Sequence, residues 1–65
     1  MKTLTIVVYT YDIEEIIEFK KIKKDEVIRL YNDLKIKYKN IEDVKIYFII
    51  NNGEAKTFEE AEDEI

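Results

Sequence analysis

The side chains able to do chemistry in this 65-residue chain are fifteen Asp and Glu, ten Lys, one Arg, five Tyr and four Thr. His, Cys, Ser, Gln, Trp and Pro are absent. Proton transfer at neutral pH most often uses His, and nucleophilic catalysis usually sets Ser or Cys beside a base. Two carboxylates can act alone, as in glycoside hydrolysis, but they need a deep cleft. A chain this short rarely encloses one, since a domain of this size buries only about 60% of its unfolded surface. Gly53 is the single glycine, so there is no Gly-rich phosphate loop. The acids lack calcium-loop spacing, and without Cys there is neither a disulfide nor a thiolate zinc site. The expectation is a protein that is not an enzyme and uses no cofactor or metal.

What remains is recognition chemistry. Tyrosines at 9, 11 and 47 lie among β-branched residues, and Glu59, Glu60, Glu62, Asp63 and Glu64 crowd the last seven positions. Charge is uneven along the chain. Residues 1–19 hold one lysine and four acids, net −3; residues 20–39 hold eight bases and three acids, net +5; residues 40–65 hold two bases and eight acids, net −6. The total is −4, with 46% hydrophobic and 40% charged residues. That is too apolar for a disordered chain and too charged for a membrane span. The longest apolar run, Ile46 to Ile50, is too short to cross a bilayer, and Met1-Lys2-Thr3-Leu4 lacks signal-peptide architecture. A cytoplasmic protein is the expectation. Abundant Ile and Lys fit heat adaptation or an AT-rich genome equally.

Four segments must position these groups. Thr3 to Tyr11 reads as a strand, with Leu4, Ile6 and Val8 on one face and Thr5, Val7, Tyr9 and Tyr11 on the other. Asp12 to Ile22 has two readings. Ile13, Ile16 and Ile17 have helical spacing behind an Asp12–Glu15 capping pair. A hairpin turning at Asp12-Ile13 explains more: Tyr9 then faces Ile16, Val8 faces Ile17 and Ile6 faces Phe19, with a strand over Glu14 to Lys21. Lys24 to Lys39 reads as a helix, opened by an Ile22–Val27 staple, with acids in its first turn and lysines in its last. Val27, Leu30, Tyr31, Leu34, Tyr38 and Ile41 form its apolar stripe, Ile36 points away, and Asp25–Arg29 and Asp33–Lys37 are favourable pairs.

Val44 to Asn51 is a nearly all-apolar strand, and Asn52-Gly53 reads as a two-residue turn. Glu54 to Phe58 then returns as a short strand, with Lys56 opposite Ile49 and Phe58 opposite Tyr47. A rival reading starts a helix at Thr57 with Glu60 closing a capping box. Residues 59–65 form an acidic tail, either a short helix or frayed. The expected architecture is one α+β domain over 1–65, ββαβ(β), with one helix across a mainly antiparallel sheet in the order 2-1-3-4. In element order alone it resembles small β-grasp domains, which would set the short last strand beside the first.

One feature of this arrangement calls for a partner. The sheet face away from the helix would carry Val7, Tyr9, Tyr11, Ile16, Tyr47, Ile49 and Phe58, which is more apolar than a monomer usually shows to water. Burying each such side chain is worth about 1.5–3 kcal/mol, against an association cost of about 4–15 kcal/mol. A back-to-back homodimer is the simplest cover, two-fold assembly being the commonest symmetry. The reading is a small accessory or inhibitor protein that occupies a partner's surface. Tyr9, Tyr11, Tyr47 and Ile49 would be its anchors, and the five terminal acids would steer a host protein with a basic surface. Very small acidic proteins of phages and other mobile elements work this way, an analogy of size and charge. Two alternatives stand: single-stranded nucleic acid stacked on the tyrosines with Lys20, Lys45 and Lys56 on phosphates, and a self-assembling structural subunit. A pI of 4.8 weighs against the first. Neither a membrane nor a small-molecule substrate is expected.

Overall fold

A computed structural model describes residues 2–65, with Ile13 described through its backbone only; Met1 lies outside. Four strands form one antiparallel sheet: β1 (Leu4–Tyr9), β2 (Ile13–Phe19), β3 (Lys45–Ile50) and β4 (Ala55–Lys56), in the order β2-β1-β3-β4. The expected α+β class and 2-1-3-4 order hold. The helical reading of residues 13–22 and the β-grasp order do not, since β2 is a strand and β4 flanks β3. The main helix, α1 (Lys24–Lys37), lies on one sheet face, and a short helix, α2 (Phe58–Ala61), follows β4 and runs into a 3-10 turn at Glu62–Glu64.

The core lies between the sheet and the helical layer. Leu4, Ile6 and Val8 of β1, Phe48 of β3, Val27 and Leu34 of α1 and Ala61 of α2 are buried. Ile17 and Phe19 of β2 pack beside them, so this outer strand sends the expected face inward. The β1–β2 register differs from the expected one by two residues, with Ile6 opposite Ile17 and Val7 opposite Ile16. The turn takes Thr10, Tyr11 and Asp12 instead of Asp12-Ile13, and the pairing slips between Val8 and Tyr9. A shift of two keeps every side chain on its face, because the strand repeat is two. It also ends β1 at Tyr9 and β2 at Phe19, short of the expected Tyr11 and Lys21.

The β3–β4 register moves by one, with consequences. Asn51 and Asn52 adopt positive φ of 51° and 59°, and the Gly53 N–H donates to the Ile50 carbonyl at 2.9 Å. The loop thus holds three residues, Asn51 to Gly53, where two were expected. Lys56 pairs with Phe48 and Ala55 with Ile49. A one-residue slip exchanges faces, so Lys56 stands on the helical side and β4 is only two residues long.

Helix α1 begins where the staple places it. Lys23 is the N-cap, and Ile22 and Val27 both pack inward. It ends at Lys37 rather than Lys39, Tyr38 having left helical geometry at φ −105°, ψ 14°. Ile41 therefore falls outside the helix and stays 49% exposed, so it leaves the expected stripe. Lys37 ion-pairs with Glu15 of β2 at 2.6 Å instead of Asp33, and no Asp25–Arg29 bridge forms among the described residues. The tail is ordered: Thr57 caps α2, and Ile65 packs against the core.

Candidate functional site

The open face of the sheet is built by alternation. Every second residue of each strand must face away from α1. In the central row Val7 stands between Ile16 on β2 and Tyr47 on β3. In the next row Thr5 stands between Glu18 and Ile49, and Ile49 pairs with Ala55 beyond it. At the other end Tyr9 lies opposite Lys45. Val7, Tyr47 and Ile49 are half-buried by their neighbours, whereas Tyr9 is 42% and Ile16 55% exposed. A hollow of about 320 Å³ opens between Tyr9 and Tyr47, bordered by Thr10, Asp43 and Lys45.

Five of the seven apolar residues assigned to this face, Val7, Tyr9, Ile16, Tyr47 and Ile49, are therefore brought together there. Two are not. Tyr11 sits in the β1–β2 turn, 89% exposed, beyond the end of the face. Phe58 lies in the helical layer: its ring stacks on Tyr31 at 4.4 Å and 10°, and tilts against Phe48 at 5.7 Å. The register slip turns β4 over, and the capping box at Thr57 ends the strand before Phe58. Three aromatic rings then cluster on the core side, Tyr31 also meeting Phe48 edge-on at 5.5 Å.

The acidic end is likewise set apart. Ala61 is buried in the core, which places α2 in the helical layer, away from the open face. The Glu60 carboxylate accepts from the Thr57 N–H at 3.0 Å, and Glu60 N–H returns a longer bond to the Thr57 hydroxyl. Those contacts with Thr57 hold its carboxyl below the usual Glu range. Glu64 is bound by Lys56 at 2.5 Å, which lowers the acid and raises the amine. Glu59, Glu62 and Asp63 are exposed. Glu59 is close enough to Tyr31 to add to the rise that burial causes in its phenol. The terminal acids and the tyrosine face thus address different surroundings and form no single surface.

The lysines assigned to phosphate separate too. Lys45 borders the open face, Lys56 is on the helical side against Glu64, and Lys20 lies past the end of β2. Among the described residues no group of three or more acids is placed to hold a metal ion, and no charged residue is buried. No helix among them is long and apolar enough to cross a membrane.

A feature the sequence reading missed lies at the edge of β3. A cleft of about 640 Å³ opens between the C-terminal half of α1, the start of β3 and the β4–α2 junction. Its signal in the sequence was the shortness of the β4 segment before the Thr57 capping box. No family model matches this chain, and no curated protein and no solved structure matches it either, so its surfaces carry the functional reading.

Proposed function

We propose that the chain is a non-catalytic protein-binding module, a small accessory or inhibitor protein, that presents the open sheet face to a second copy of itself. The observation that supports this most is the row Ile16–Val7–Tyr47, which crosses three strands on the face away from the core, where among the described residues no helix packs. Its charges fit self-association. Glu18 and Lys45 stand at opposite corners of the face, two rows apart on either side of Val7. A two-fold axis lying in the face, through Val7 and across that diagonal, exchanges the corners, so each Glu18 meets the Lys45 of the other copy.

The test is solution mass across concentration, by sedimentation or light scattering. The chain should move from 7.9 kDa toward twice that mass. Ile16→Lys should hold it monomeric with an unchanged circular-dichroism spectrum. Glu18→Lys and Lys45→Glu should each weaken the dimer, and the two together should restore it. A strict monomer throughout, or a dimer indifferent to Ile16→Lys, overturns the reading.

A further inference from the structure

β1 pairs with β3 along its whole length, whereas β4 pairs only with Phe48 and Ile49. Among the described residues, the edge of β3 from Lys45 to Tyr47 therefore faces no strand. The direction of its backbone groups follows from the strand's end. The Asn51 N–H donates to the Thr3 carbonyl on the β1 side, and the Ile50 carbonyl accepts from Gly53 on the β4 side. Backbone groups alternate along a strand, so Ile46, like Phe48 and Ile50, turns its N–H and C=O toward the β4 side. There the chain has already left the sheet for α2.

The 640 Å³ cleft lies along this edge. Lys45, Ile46 and Tyr47 all line it. Successive strand residues point to opposite faces, so a cleft touching all three must run beside the backbone rather than over either face. Tyr31, Leu34 and Tyr38 form its wall on the α1 side, and Phe58 stands at the β4 end. We propose that this cleft binds an extended segment of another protein as an added antiparallel strand on β3. Backbone hydrogen bonds would form at Ile46. Side chains directly opposite one another share a face. The residue opposite Ile46 then points toward Tyr31 and Tyr38 and is aliphatic. The residue opposite Lys45 lies on the open face, where an acid complements the amine. Written from its N-terminus, the segment reads aliphatic, then acidic. A second copy is a poorer occupant. Its β2 joined to β3 builds an open-ended sheet rather than a closed assembly, and its own β3 edge, set antiparallel about Ile46, would bring residues 43 and 44 onto Phe48 and Ile49, which β4 already pairs.

The probe is a blocked pentapeptide, acetyl-Thr-Val-Glu-Thr-Thr-amide, whose first residue falls opposite Tyr47, just past the Lys56–Phe48 pair, added to the full chain and followed by backbone amide shifts. Saturable shifts at residues 44–47 are expected, with the valine N-methylated peptide binding about tenfold more weakly through loss of one main-chain bond. The Lys45→Glu variant, altered at an exposed position, should bind this peptide less well and the peptide with Lys in place of Glu better. No shift at 44–47 up to about 2 mM peptide overturns the proposal. Equal binding of the N-methylated peptide overturns it too, as do shifts at 44–47 that follow protein concentration without peptide in the Ile16→Lys variant, where the open-face dimer is removed. Failure of the open-face dimer would be read elsewhere, at Val7 and Ile16, so the two outcomes are separable.

Discussion

Glu15 on β2 accepts a hydrogen bond from the Tyr38 hydroxyl at 2.5 Å, joining an outer strand to the residue that ends α1. The same carboxylate oxygen takes the Lys37 amine at 2.6 Å. Lys37 first, and Tyr38 second, hold the Glu15 carboxyl below its usual range, while Lys37 and Tyr38 are both raised, chiefly by Glu15. A carboxyl lowered by folding stabilises above its ordinary value of 4.5 and loses that contribution as pH falls through the folded value. Groups raised by folding contribute below their ordinary values, 10.5 and 10.0, and lose it as pH rises through the folded ones. Stability should therefore fall at both ends of the scale. In Glu15→Gln both limbs should be shallower, and at neutral pH the change should be small, since the pair is largely in water. Urea midpoints measured from pH 2 to 11 check this; an unchanged acid limb in Glu15→Gln refutes it.

The β3–β4 turn gives opposite expectations for neighbouring positions. Asn52 has φ 59°, a region glycine enters without steric cost, so Asn52→Gly should be neutral or stabilising and Asn52→Ala should cost about 1 kcal/mol. Asn51 also has positive φ, but its side-chain oxygen accepts the Thr3 N–H at 3.0 Å while its own N–H donates to the Thr3 carbonyl. Asn51→Gly should therefore lose about 1 kcal/mol through the missing side-chain bond. Gly53 has no positive φ, yet a Cβ there would lie 3.0 Å from the Ile50 carbonyl oxygen. Gly53→Ala should destabilise, against the usual gain from removing a glycine. Chemical denaturation of the four variants ranks them directly, and a stabilised Gly53→Ala would refute the close approach.

These turns mark where the sequence was legible. Alternation of apolar residues assigns faces, and Leu4, Ile6, Val8, Ile17, Phe19 and Phe48 all face inward as the pattern requires. It is blind to a slip of two, so the Thr10–Asp12 loop could shift the first hairpin without disturbing any face. A slip of one is different. Reading Asn52-Gly53 as a two-residue loop, where the register takes three residues from Asn51 to Gly53, put Lys56 and Phe58 on the wrong side, because Asn51 enters the left-handed region as readily as Asn52 and no residue type marks the loop's length. The capping signal at Thr57 was correct, and with the strand signal around it the segment gave a two-residue β4 followed at once by α2. The Glu15–Lys37–Tyr38 cluster was not legible, since nothing local in the sequence brings residues 22 and 23 apart together.

Phe58 and Tyr47 should separate the two layers of the molecule. Phe58 is half-buried among Tyr31 and Phe48, so Phe58→Ala should cost about 2–3 kcal/mol, a little less than for a fully buried ring. Tyr47→Ala, on the open face, should cost about 1 kcal/mol or less in the monomer. A double-mutant cycle of Phe58→Leu with Tyr31→Leu should leave about 0.5–1.5 kcal/mol of coupling from the stacked pair. The reverse order, with Tyr47 the costlier truncation at low concentration, would contradict this division of the aromatics.

Thr57 tests how the acidic end is held. A four-residue helix cannot stand on propensity alone, so α2 depends on its cap and on the burial of Ala61. The Thr57 hydroxyl accepts the Glu60 N–H and the Glu60 carboxylate accepts the Thr57 N–H, satisfying two donors that otherwise lack partners within the helix. Thr57→Ala should cost about 1 kcal/mol, and Thr57→Ser much less, because serine keeps the acceptor. The loss should be local before it is global. Amide hydrogen exchange at Ala61, whose N–H donates to the Thr57 carbonyl, should quicken about fivefold while β1 amides change less. If Thr57→Ala speeds β1 and Ala61 equally, α2 unfolds only with the whole domain, and its cap is no separate control on the acidic end.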